Sequence, residues 1–222
     1  MNEESAPAGA RPAAFGEPVQ SVEMLRQYIP EPSALASAKI LRSFDHHCRD
    51  FIGLSPLVML ATADRSGKCD SSPRGGPPGF VRLLDDRCLL IPELSGNRTA
   101  DSLRNLLENP QIGMMFIIPG LEETLRLNGR AWVVQDKAIL AMAPVMGKMP
   151  LLGIGIEAEE IFMHCAKALK RSAAWRPAEW PDRASLASAA QIYRDHAKGR
   201  FADGSVGAMQ DALNESYTKR LW

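Results

Sequence analysis

The chain has 222 residues, 45% of them hydrophobic, which is enough for one domain with its own core. Its 26 basic and 26 acidic side chains cancel, so no overall field would hold a polyanion, and nucleic acid is excluded as an expected partner. The longest apolar runs have the length of a strand, and no basic start precedes them as in a signal peptide. Together with four widely spaced cysteines, these features predict a cytoplasmic protein without membrane contact.

The first fifty residues are predicted to form an arm and then a helix. Residues 1–20 mix Ala, Pro, Gly and charged residues without periodicity, and we expect all of 1–32 to be a flexible arm. From Ser33 onward apolar residues recur at helical spacing, which predicts one helix that runs to about Phe51. One face of this helix is expected to pack on the domain that follows.

After this helix the period changes to that of β-strands. Strand patterns cover 57–63, a run from 68 to the glycine-rich 75–79, 80–84, 87–93, 112–118, 124–134 and 159–166. Turn residues predict hairpins at 64–67 and 85–86. Helical patterns cover 99–109, 136–146, 184–198 and 207–220. We therefore predict a mainly β, α+β chain with about six short antiparallel strands in a closed or half-closed barrel, flanked by N- and C-terminal helices.

Two segments of the barrel region have the composition of an anion site. In the first, the hydroxyl of Ser72 and the guanidinium of Arg74 lie beside glycine backbone, and such groups can surround a phosphate. In the second, Asn97, Arg98 and Thr99 enter a helix, whose first N–H groups and partial positive charge favour an anion. The partial positive charge of a helix N-terminus repels an arginine, so an arginine at this position is unfavourable unless an anion binds beside it.

A third segment places polar side chains along one strand. Thr124, Arg126 and Asn128 fall on the same face because side chains alternate along a strand, and the other face is apolar. Asn128-Gly129 is equally well explained as a strand kink, since glycine inside a strand often marks a bulge.

These segments carry the motifs S-P-R-G-G-P-P-G-F, G-N-R and T-L-R-L-N-G-R-A, in that order. In combination they resemble a poorly characterised branch of the pyridoxamine 5′-phosphate oxidase-like family of FMN-binding split-barrel flavoproteins. The resemblance implies a split-barrel domain at 33–182, with 183–222 as a C-terminal helical extension. It also implies a homodimer with FMN at the subunit interface and a small-molecule substrate.

The resemblance further implies roles for single residues. Arg74 and Arg98 would bind the FMN phosphate, the end of the strand at Glu93 would approach the ribityl chain and ring, and Thr124 would reach the ring edge. The stretch from His164 to Ser172, with Trp175, is similar to the H-C-x-K-A-x-x-R-S stretch of this branch and would come from the second subunit. The implied cofactor residues are Ser72, Arg74, Ile91, Pro92, Glu93, Asn97, Arg98, Thr99, Thr124, Arg126, Asn128, Lys167, Arg171, Ser172 and Trp175.

The sequence departs from the vitamin-converting members of the family in three places. Gly-Gly-Pro-Pro-Gly follows Arg74 where they have Leu-Leu-Lys, and Arg98-Thr99 replaces their Arg-Lys pair. Their Arg-x-His substrate motif has no counterpart after Trp180. We therefore predict an FMN-dependent oxidoreductase that is not a pyridoxamine phosphate oxidase, with no catalytic residue assigned.

Other interpretations remain open at this point. The same barrel could be a non-catalytic flavin carrier or sensor, or could bind a deazaflavin or haem, with His164 as the candidate axial ligand. No metal site is expected, because the adjacent residues His46, His47 and Cys48 of a helix cannot converge on one ion. The methionines at 142, 146 and 149 are interpreted as core filler or as a flexible lip.

Overall fold

A computed structural model of the chain describes residues 13–94, 96, 98–198, 200 and 204–219. The chain divides into two compact units, Met1–Lys39 and Ile40–Trp222. All seven strands of the described residues lie in the second unit. Over the same residues, no helix combines the length and the apolar character that crossing a membrane requires.

The first unit contains a 3-10 helix at Ala13–Phe15, two short α-helices and no buried residue within the described range 14–39. Helix α1 (Val22–Arg26) begins at Ser21 and α2 (Ala34–Ala38) at Ser33; each serine hydroxyl accepts a hydrogen bond, 3.2 Å long, from a backbone N–H of the first turn. Such caps satisfy donors that have no partner within the helix. Residues 1–12 of the predicted arm lie outside the described residues.

The prediction of a single helix over 33–51 is wrong. The next helix, α3 (His46–Leu54), begins only at the cap residue Asp45, whose Oδ1 accepts a hydrogen bond from the Cys48 N–H at 2.8 Å. Before it, Leu41 exchanges backbone hydrogen bonds of 2.8 and 2.9 Å with Ile161. In the sequence, the helical periodicity continues across this break because apolar residues lie on both sides of it. In the structure, the backbone between them pairs with a strand.

The second unit is built on one antiparallel sheet. Its strand order is β2-β1-β5-β6-β7-β4-β3, and its two edges are not joined by a ladder. This confirms a mainly β, α+β split barrel, with seven strands where about six were predicted. The strands are β1 (Leu57–Ala63), β2 (Cys69–Gly75), β3 (Arg82–Leu83), β4 (Cys88–Pro92), β5 (Gln111–Ile117), β6 (Thr124–Val134) and β7 (Gly153–His164).

Both predicted hairpins are present. In the β1–β2 turn, Asp64 Oδ1 accepts backbone hydrogen bonds from Ser66 at 2.8 Å and Lys68 at 2.9 Å, and Gly67 takes a φ of 87°. Asp85 Oδ1 accepts two such bonds of 2.7 Å in the β3–β4 turn. An aspartate side chain that accepts hydrogen bonds from the backbone N–H groups after it stabilises a turn. The β3–β4 turn therefore forms without a glycine.

Alternating residues of the central strands form the core. Val58 is opposite Phe116 in the β1–β5 ladder, and Phe116 is opposite Leu125 in the β5–β6 ladder. All three side chains are buried. Burying one such side chain stabilises the fold by roughly 1.5–3 kcal/mol, so this row helps to hold three strands together.

A β-bulge interrupts the long β6–β7 ladder at Asn128 and Gly129. A Cβ atom at Gly129 would lie 2.1 Å from the carbonyl oxygen of Glu157, so only glycine fits there. Across the bulge the core-facing residues of β7 change from Ala158 to Ile161, which is an odd step along the strand. The strand-kink interpretation of Asn128-Gly129 therefore describes the backbone correctly.

The remaining helices lie between and after the strands. The helix predicted within 99–109 is confirmed, whereas that predicted over 136–146 is a single turn, because a tight turn between Val145 and Lys148 follows it. The two C-terminal helices pack on each other and bury Ala190 and Met209. These helices are α4 (Asp101–Glu108), α5 (Lys137–Leu140), α6 (Lys167–Arg171), α7 (Ala189–His196) and α8 (Val206–Lys219).

Candidate functional site

Three of the predicted site residues form one polar cluster, which we call the Arg74 cluster: Ser72, Arg74 and Glu93. Arg74 Nε donates to Glu93 Oε2 at 3.1 Å, and Arg74 Nη1 donates to Ser72 Oγ at 2.9 Å. The side chains of Arg74 and Glu93 are only 15% and 23% exposed. An ion pair with this much shielding holds its geometry better than a surface pair, so the guanidinium is fixed in direction.

Curvature of the sheet brings this cluster together. Arg74 lies on β2, at one edge of the sheet, whereas Glu93 follows β4, the last strand but one at the other edge. The Glu93 N–H donates to the Leu152 carbonyl at 2.9 Å and so fixes the end of β4. The two edges therefore approach each other through side chains where no backbone ladder joins them.

Two other predicted residues of this strand end are buried. Ile91 belongs to the core cluster and Pro92 is paired with Gly153 of β7. On the other side of β4, Leu90 and the α5 residue Leu140 are both buried, and their side chains both lie close to Gly153. The Ile91 side chain is thus part of the packing, and only backbone atoms of Ile91 could face a ligand.

The segment before α4 exposes Arg98 and Thr99; the predicted residue Asn97 lies outside the described residues. Arg98 and Ala100 have φ values of 66° and 54°, and no side chain caps α4. A left-handed backbone at two non-glycine residues is uncommon, and Ala100 offers no oxygen to the first N–H groups of the helix. These N–H groups and the adjacent cation suit a bound anion.

Partly buried polar contacts anchor α4 to the β1–β2 hairpin. Ser102 Oγ donates to Asp70 Oδ2 at 2.8 Å, and Asn105 Nδ2 donates to Thr62 Oγ1 at 3.1 Å. Asp70 and Arg74 lie on the same face of β2, four residues apart, which is about 13 Å along a strand. The Arg98 segment therefore enters a helix that is docked on the strand carrying Arg74. Neither Asp70 nor Ser102 is among the predicted site residues.

The Arg74 cluster lies on the core face of the sheet. Residues that are opposite each other in neighbouring strands point to the same face. Arg74 is opposite Val58, which is in turn opposite the core residue Phe116. Ser72 is opposite Leu60 and shares this orientation.

The predicted residues of β6 point to the other face. Thr124, Arg126 and Asn128 alternate with the core residues Leu125 and Leu127, as the sequence predicted. The strands β2 and β6 are also three strand spacings apart, about 14 Å along the sheet. One chain therefore does not place these residues, which we call the Thr124 cluster, in one pocket with Arg74.

Within the Thr124 cluster, one hydroxyl is buried without a partner. Thr124 is 4% exposed, and its Oγ1 makes no hydrogen bond within the described part of the chain. The other two side chains are held by β7: the Arg126 guanidinium lies 5.2 Å from the ring centroid of Phe162, and Asn128 Nδ2 donates to Glu160 Oε2 at 3.0 Å. An unpaired buried hydroxyl is destabilising and marks a position where a ligand atom could complete the bonding.

The segment that follows β7 lies near the start of β6. His164 is opposite Thr124 in the ladder. Trp175 Nε1 donates to the Leu121 carbonyl at 2.9 Å, and Lys170 Nζ binds Glu122 Oε2 at 2.8 Å. The hydrogen bond to Glu122 raises the pKa of Lys170. The predicted residues Lys167, Arg171 and Ser172 are exposed beside this anchor.

Cys48, which follows His46 and His47 at the start of α3, has a structural role in the fold. Asp45 caps the helix through the Cys48 N–H, and the Cys48 side chain is buried. Burial raises the pKa of the Cys48 thiol to about 11. Over the described residues, no three His, Cys, Asp or Glu side chains are grouped so that they could hold a metal ion.

The methionines at 142, 146 and 149 are exposed by 50–62%, so their interpretation as core filler is wrong. They follow the short helix α5, where Pro144 and the tight turn between Val145 and Lys148 interrupt the helical backbone. The helical period that relates Met142, Met146 and Met149 in the sequence is therefore absent from the structure.

Comparison with known proteins assigns the chain to a family. None of the curated proteins compared with it matches in sequence. Among solved structures, HupZ of Group A Streptococcus is 23% identical and covers 54% of this chain and 93% of its own, with a TM-score of 0.45. General stress protein 26 from Bacillus anthracis is 16% identical, covering 52% and 88%, with a TM-score of 0.38.

An FMN-binding protein from Syntrophomonas wolfei is 12% identical, covering 53% of this chain and 88% of its own, with a TM-score of 0.39. The family model described as pyridoxamine 5'-phosphate oxidase matches residues 44–165, which is more than half of the chain. The match spans all three motifs from which the family was predicted. The chain belongs to the pyridoxamine 5'-phosphate oxidase family.

Proposed function

We propose that this chain is a homodimeric FMN-binding flavoprotein that acts as an oxidoreductase on a small molecule. One observation carries the proposal: the Arg74 cluster and the Thr124 cluster lie on opposite faces of the same sheet. In the proposed homodimer the Arg74 cluster of one protomer would face the Thr124 cluster of the other, an arrangement that two-fold symmetry allows and that would repeat at a second, equivalent site. Each of the two equivalent sites then has a phosphate side and a ring side.

The phosphate side is formed by Ser72, Arg74 and Arg98. Arginine and hydroxyl groups near a helix N-terminus are suitable donors for a phosphate dianion. Glu93 fixes the direction of the Arg74 guanidinium and also offsets part of its charge. Arg98 would therefore supply the additional positive charge that a phosphate dianion requires. Because Arg98 is exposed, it could reach a phosphate without burial of an unpaired charge.

The ring side is formed by Thr124, Arg126 and Asn128, together with the segment from Lys167 to Trp175. The Thr124 hydroxyl lacks a partner in the described structure, and a polar atom at the ring edge would complete its bonding. Arg126 and Asn128 are positioned by Phe162 and Glu160, so they could hold a ring without reorganisation. When bound, FMN accepts and donates hydride; the chain would bind and orient it.

The proposal is tested by the visible spectrum of the purified chain and by titration of the cofactor-free chain with FMN. We expect paired flavin bands and one FMN for each protomer. Arg98→Ala should weaken binding, whereas Arg183→Ala, at an exposed arginine of a C-terminal turn, should not. A Soret band would favour haem, and a chain that refuses FMN would contradict the proposal.

Turnover is tested separately from binding. Bound FMN should be reduced by NADH, by NADPH or by a member of a panel of amines and alcohols, and the reduced flavin should then be reoxidised. A chain that binds FMN but is reduced by none of them would be a carrier or sensor, and the oxidoreductase part of the proposal would fail.

A further inference from the structure

The face of the sheet that carries the Thr124 cluster also carries a carboxylate, that of Glu160 on β7. Glu160 is opposite Asn128 in the β6–β7 ladder. Two residues further along the same ladder, Arg126 is opposite Phe162. Because residues opposite each other point to the same face, Arg126 and Glu160 are diagonal neighbours on it. Both side chains are half-buried.

These two opposite charges do not bind each other. The Arg126 guanidinium lies over the ring of Phe162, with 5.2 Å from Cζ to the ring centroid. The Glu160 carboxylate accepts from Asn128 Nδ2 at 3.0 Å. Over the residues that the structure describes, neither charge takes part in an ion pair. A half-buried charge without an opposite charge is unfavourable, so both groups favour a ligand that completes their bonding.

The Asn128 amide fixes the direction of the Glu160 carboxylate. Its Nδ2 points to Glu160 on one side, and its Oδ1 lies 3.7 Å from where a Cβ atom of Gly113 would be on the other side. Gly113 is opposite Asn128 in the β5–β6 ladder and opposite Ala61 in the β1–β5 ladder. Glycine and alanine leave this row of the face without a large side chain. The carboxylate is therefore held in place beside an open part of the face.

The remaining bonding capacity of the pair has a definite pattern. An ionised carboxylate accepts several hydrogen bonds and donates none, whereas a guanidinium donates several and accepts none. A ligand that satisfies both Glu160 and Arg126 must therefore present a donor directly beside an acceptor. A ligand edge that carries only carboxylates, as in haem, would bind Arg126 but would be repelled by Glu160.

One edge of the flavin ring has this pattern. Its pyrimidine edge carries the N3–H donor between two carbonyl acceptors. We propose that the Glu160 carboxylate accepts a hydrogen bond from N3–H of FMN and that Arg126 donates to a carbonyl beside it. The inference rests on the proposed function and gives Glu160 a direct contact with the cofactor, in addition to its bond with Asn128.

The contact is tested with 3-methyl-FMN, which has a methyl group in place of the N3 hydrogen. It keeps the phosphate, the ribityl chain and both carbonyls, so every other contact is retained. The cofactor-free chain is titrated with each flavin by quenching of flavin fluorescence. We expect the unaltered chain to bind 3-methyl-FMN more weakly than FMN, on the order of tenfold or more, because a hydrogen bond to a charged group is lost.

Two variants of one residue remove this preference by different amounts. Glu160→Ala removes the acceptor and makes space for the methyl group. It should weaken FMN binding on the order of tenfold and should bind both flavins with similar affinity. Glu160→Gln keeps the size of the side chain but can offer only an uncharged acceptor, so the preference for FMN should fall several-fold.

Glu157 supplies the matched control. It is a half-buried glutamate of the same strand and the same face, beyond the bulge, and its carboxylate binds Arg87 at 2.9 Å. Glu157→Ala should therefore keep the full preference for FMN. The measured quantity is the ratio of two affinities of one variant, so partial unfolding would lower both affinities and leave the ratio unchanged.

The results that would overturn the inference are distinct from those that would overturn the proposed function. If the unaltered chain binds FMN and 3-methyl-FMN equally, N3–H makes no contact. If the preference survives in both Glu160 variants, or falls as much in Glu157→Ala, Glu160 is not the acceptor. In each of these cases FMN still binds and the proposed function stands. A chain that binds neither flavin would overturn the proposed function and this contact together.

Discussion

Arg74 and Glu93 are bonded at 3.1 Å although Arg74 lies on β2 and Glu93 follows β4, two strands that share no ladder. This ion pair joins the two open sides of the split barrel at the position where the phosphate side of the FMN site is proposed. It also places a negative charge against the arginine that should bind a dianion. The negative charge of Glu93 is therefore expected to oppose FMN binding, whereas its hydrogen bond to Arg74 supports binding by fixing the direction of the guanidinium.

The first prediction concerns this balance. Glu93→Gln keeps the size of the side chain and an oxygen that can accept from Arg74, but removes the negative charge. We expect the affinity for FMN, measured by quenching of flavin fluorescence, to rise several-fold because Arg74 becomes more positive towards the phosphate. Glu215→Gln on the exposed helix α8 should have no effect. Weaker binding by Glu93→Gln would show that the carboxylate itself contacts the cofactor.

The second prediction separates the cofactor role of Thr124 from a packing role. Thr124→Val removes the buried unpaired hydroxyl and preserves the shape, so the cofactor-free chain should be more stable by about 1 kcal/mol in urea unfolding. The same variant should bind FMN roughly tenfold more weakly, because it cannot donate to the ring edge.

Thr62 supplies the control for this variant. It is also 4% exposed, but its Oγ1 accepts a hydrogen bond from Asn105. Thr62→Val should therefore destabilise the chain by about 1 kcal/mol, since it removes a partly buried hydrogen bond from Asn105. If Thr124→Val behaves like Thr62→Val in the cofactor-free chain, the Thr124 hydroxyl has a bonding partner and the assignment is wrong.

The third prediction tests the bulge that sets the register of β6 and β7. In Gly129→Ala the new methyl group would meet the Glu157 carbonyl oxygen at 2.1 Å, and both belong to paired strands. We expect a loss of about 1–3 kcal/mol in the free energy of unfolding. Gly53→Ala, in helix α3 with no atom near the added methyl, should be neutral or stabilising by up to about 1 kcal/mol. Equal effects of the two variants would contradict the bulge.

The fourth prediction is a pH dependence of stability. The Cys48 thiol has a pKa of about 11 in the folded chain and an ordinary value of 9.0, chiefly because burial disfavours the thiolate. Between these values the folded chain keeps a proton that the unfolded chain loses, so raising the pH from 9 to 11 lowers stability. Urea unfolding across this range should show a smaller pH-dependent loss in Cys48→Ala than in the unaltered chain. An identical pH dependence in both would show that Cys48 does not contribute.

The strands could be predicted where a local pattern determines them. The bounds of β6 agree with the predicted 124–134, because apolar and polar residues alternate through most of the strand. The start of β7 was missed by six residues, since Gly153 and Gly155 weaken its strand pattern, whereas the structure needs glycine there beside Leu90 and Val134. The residue types around Leu41 likewise do not reveal that the backbone pairs with Ile161, because that contact spans most of the chain.

The candidate site could be predicted only in part. Ser72 and Arg74 were identified by composition and Glu93 by the family resemblance, and alternation correctly placed Thr124, Arg126 and Asn128 on one face. The relation between the two sets was not predictable, because it depends on the register across four strands, β2 to β6. Ile91 was included on the motif alone, and its burial depends on packing from both sides of β4.

The central claim is that each FMN site takes its phosphate side from one protomer and its ring side from the other. Mixing two defective variants tests it most directly: Arg98→Ala lacks a phosphate contact, and Arg126→Ala lacks a ring contact. After the subunits exchange, each mixed dimer should contain one intact site, so the mixture should regain tight FMN binding at about one site for every four protomers. A mixture that binds FMN no better than its two parent variants would contradict the shared site.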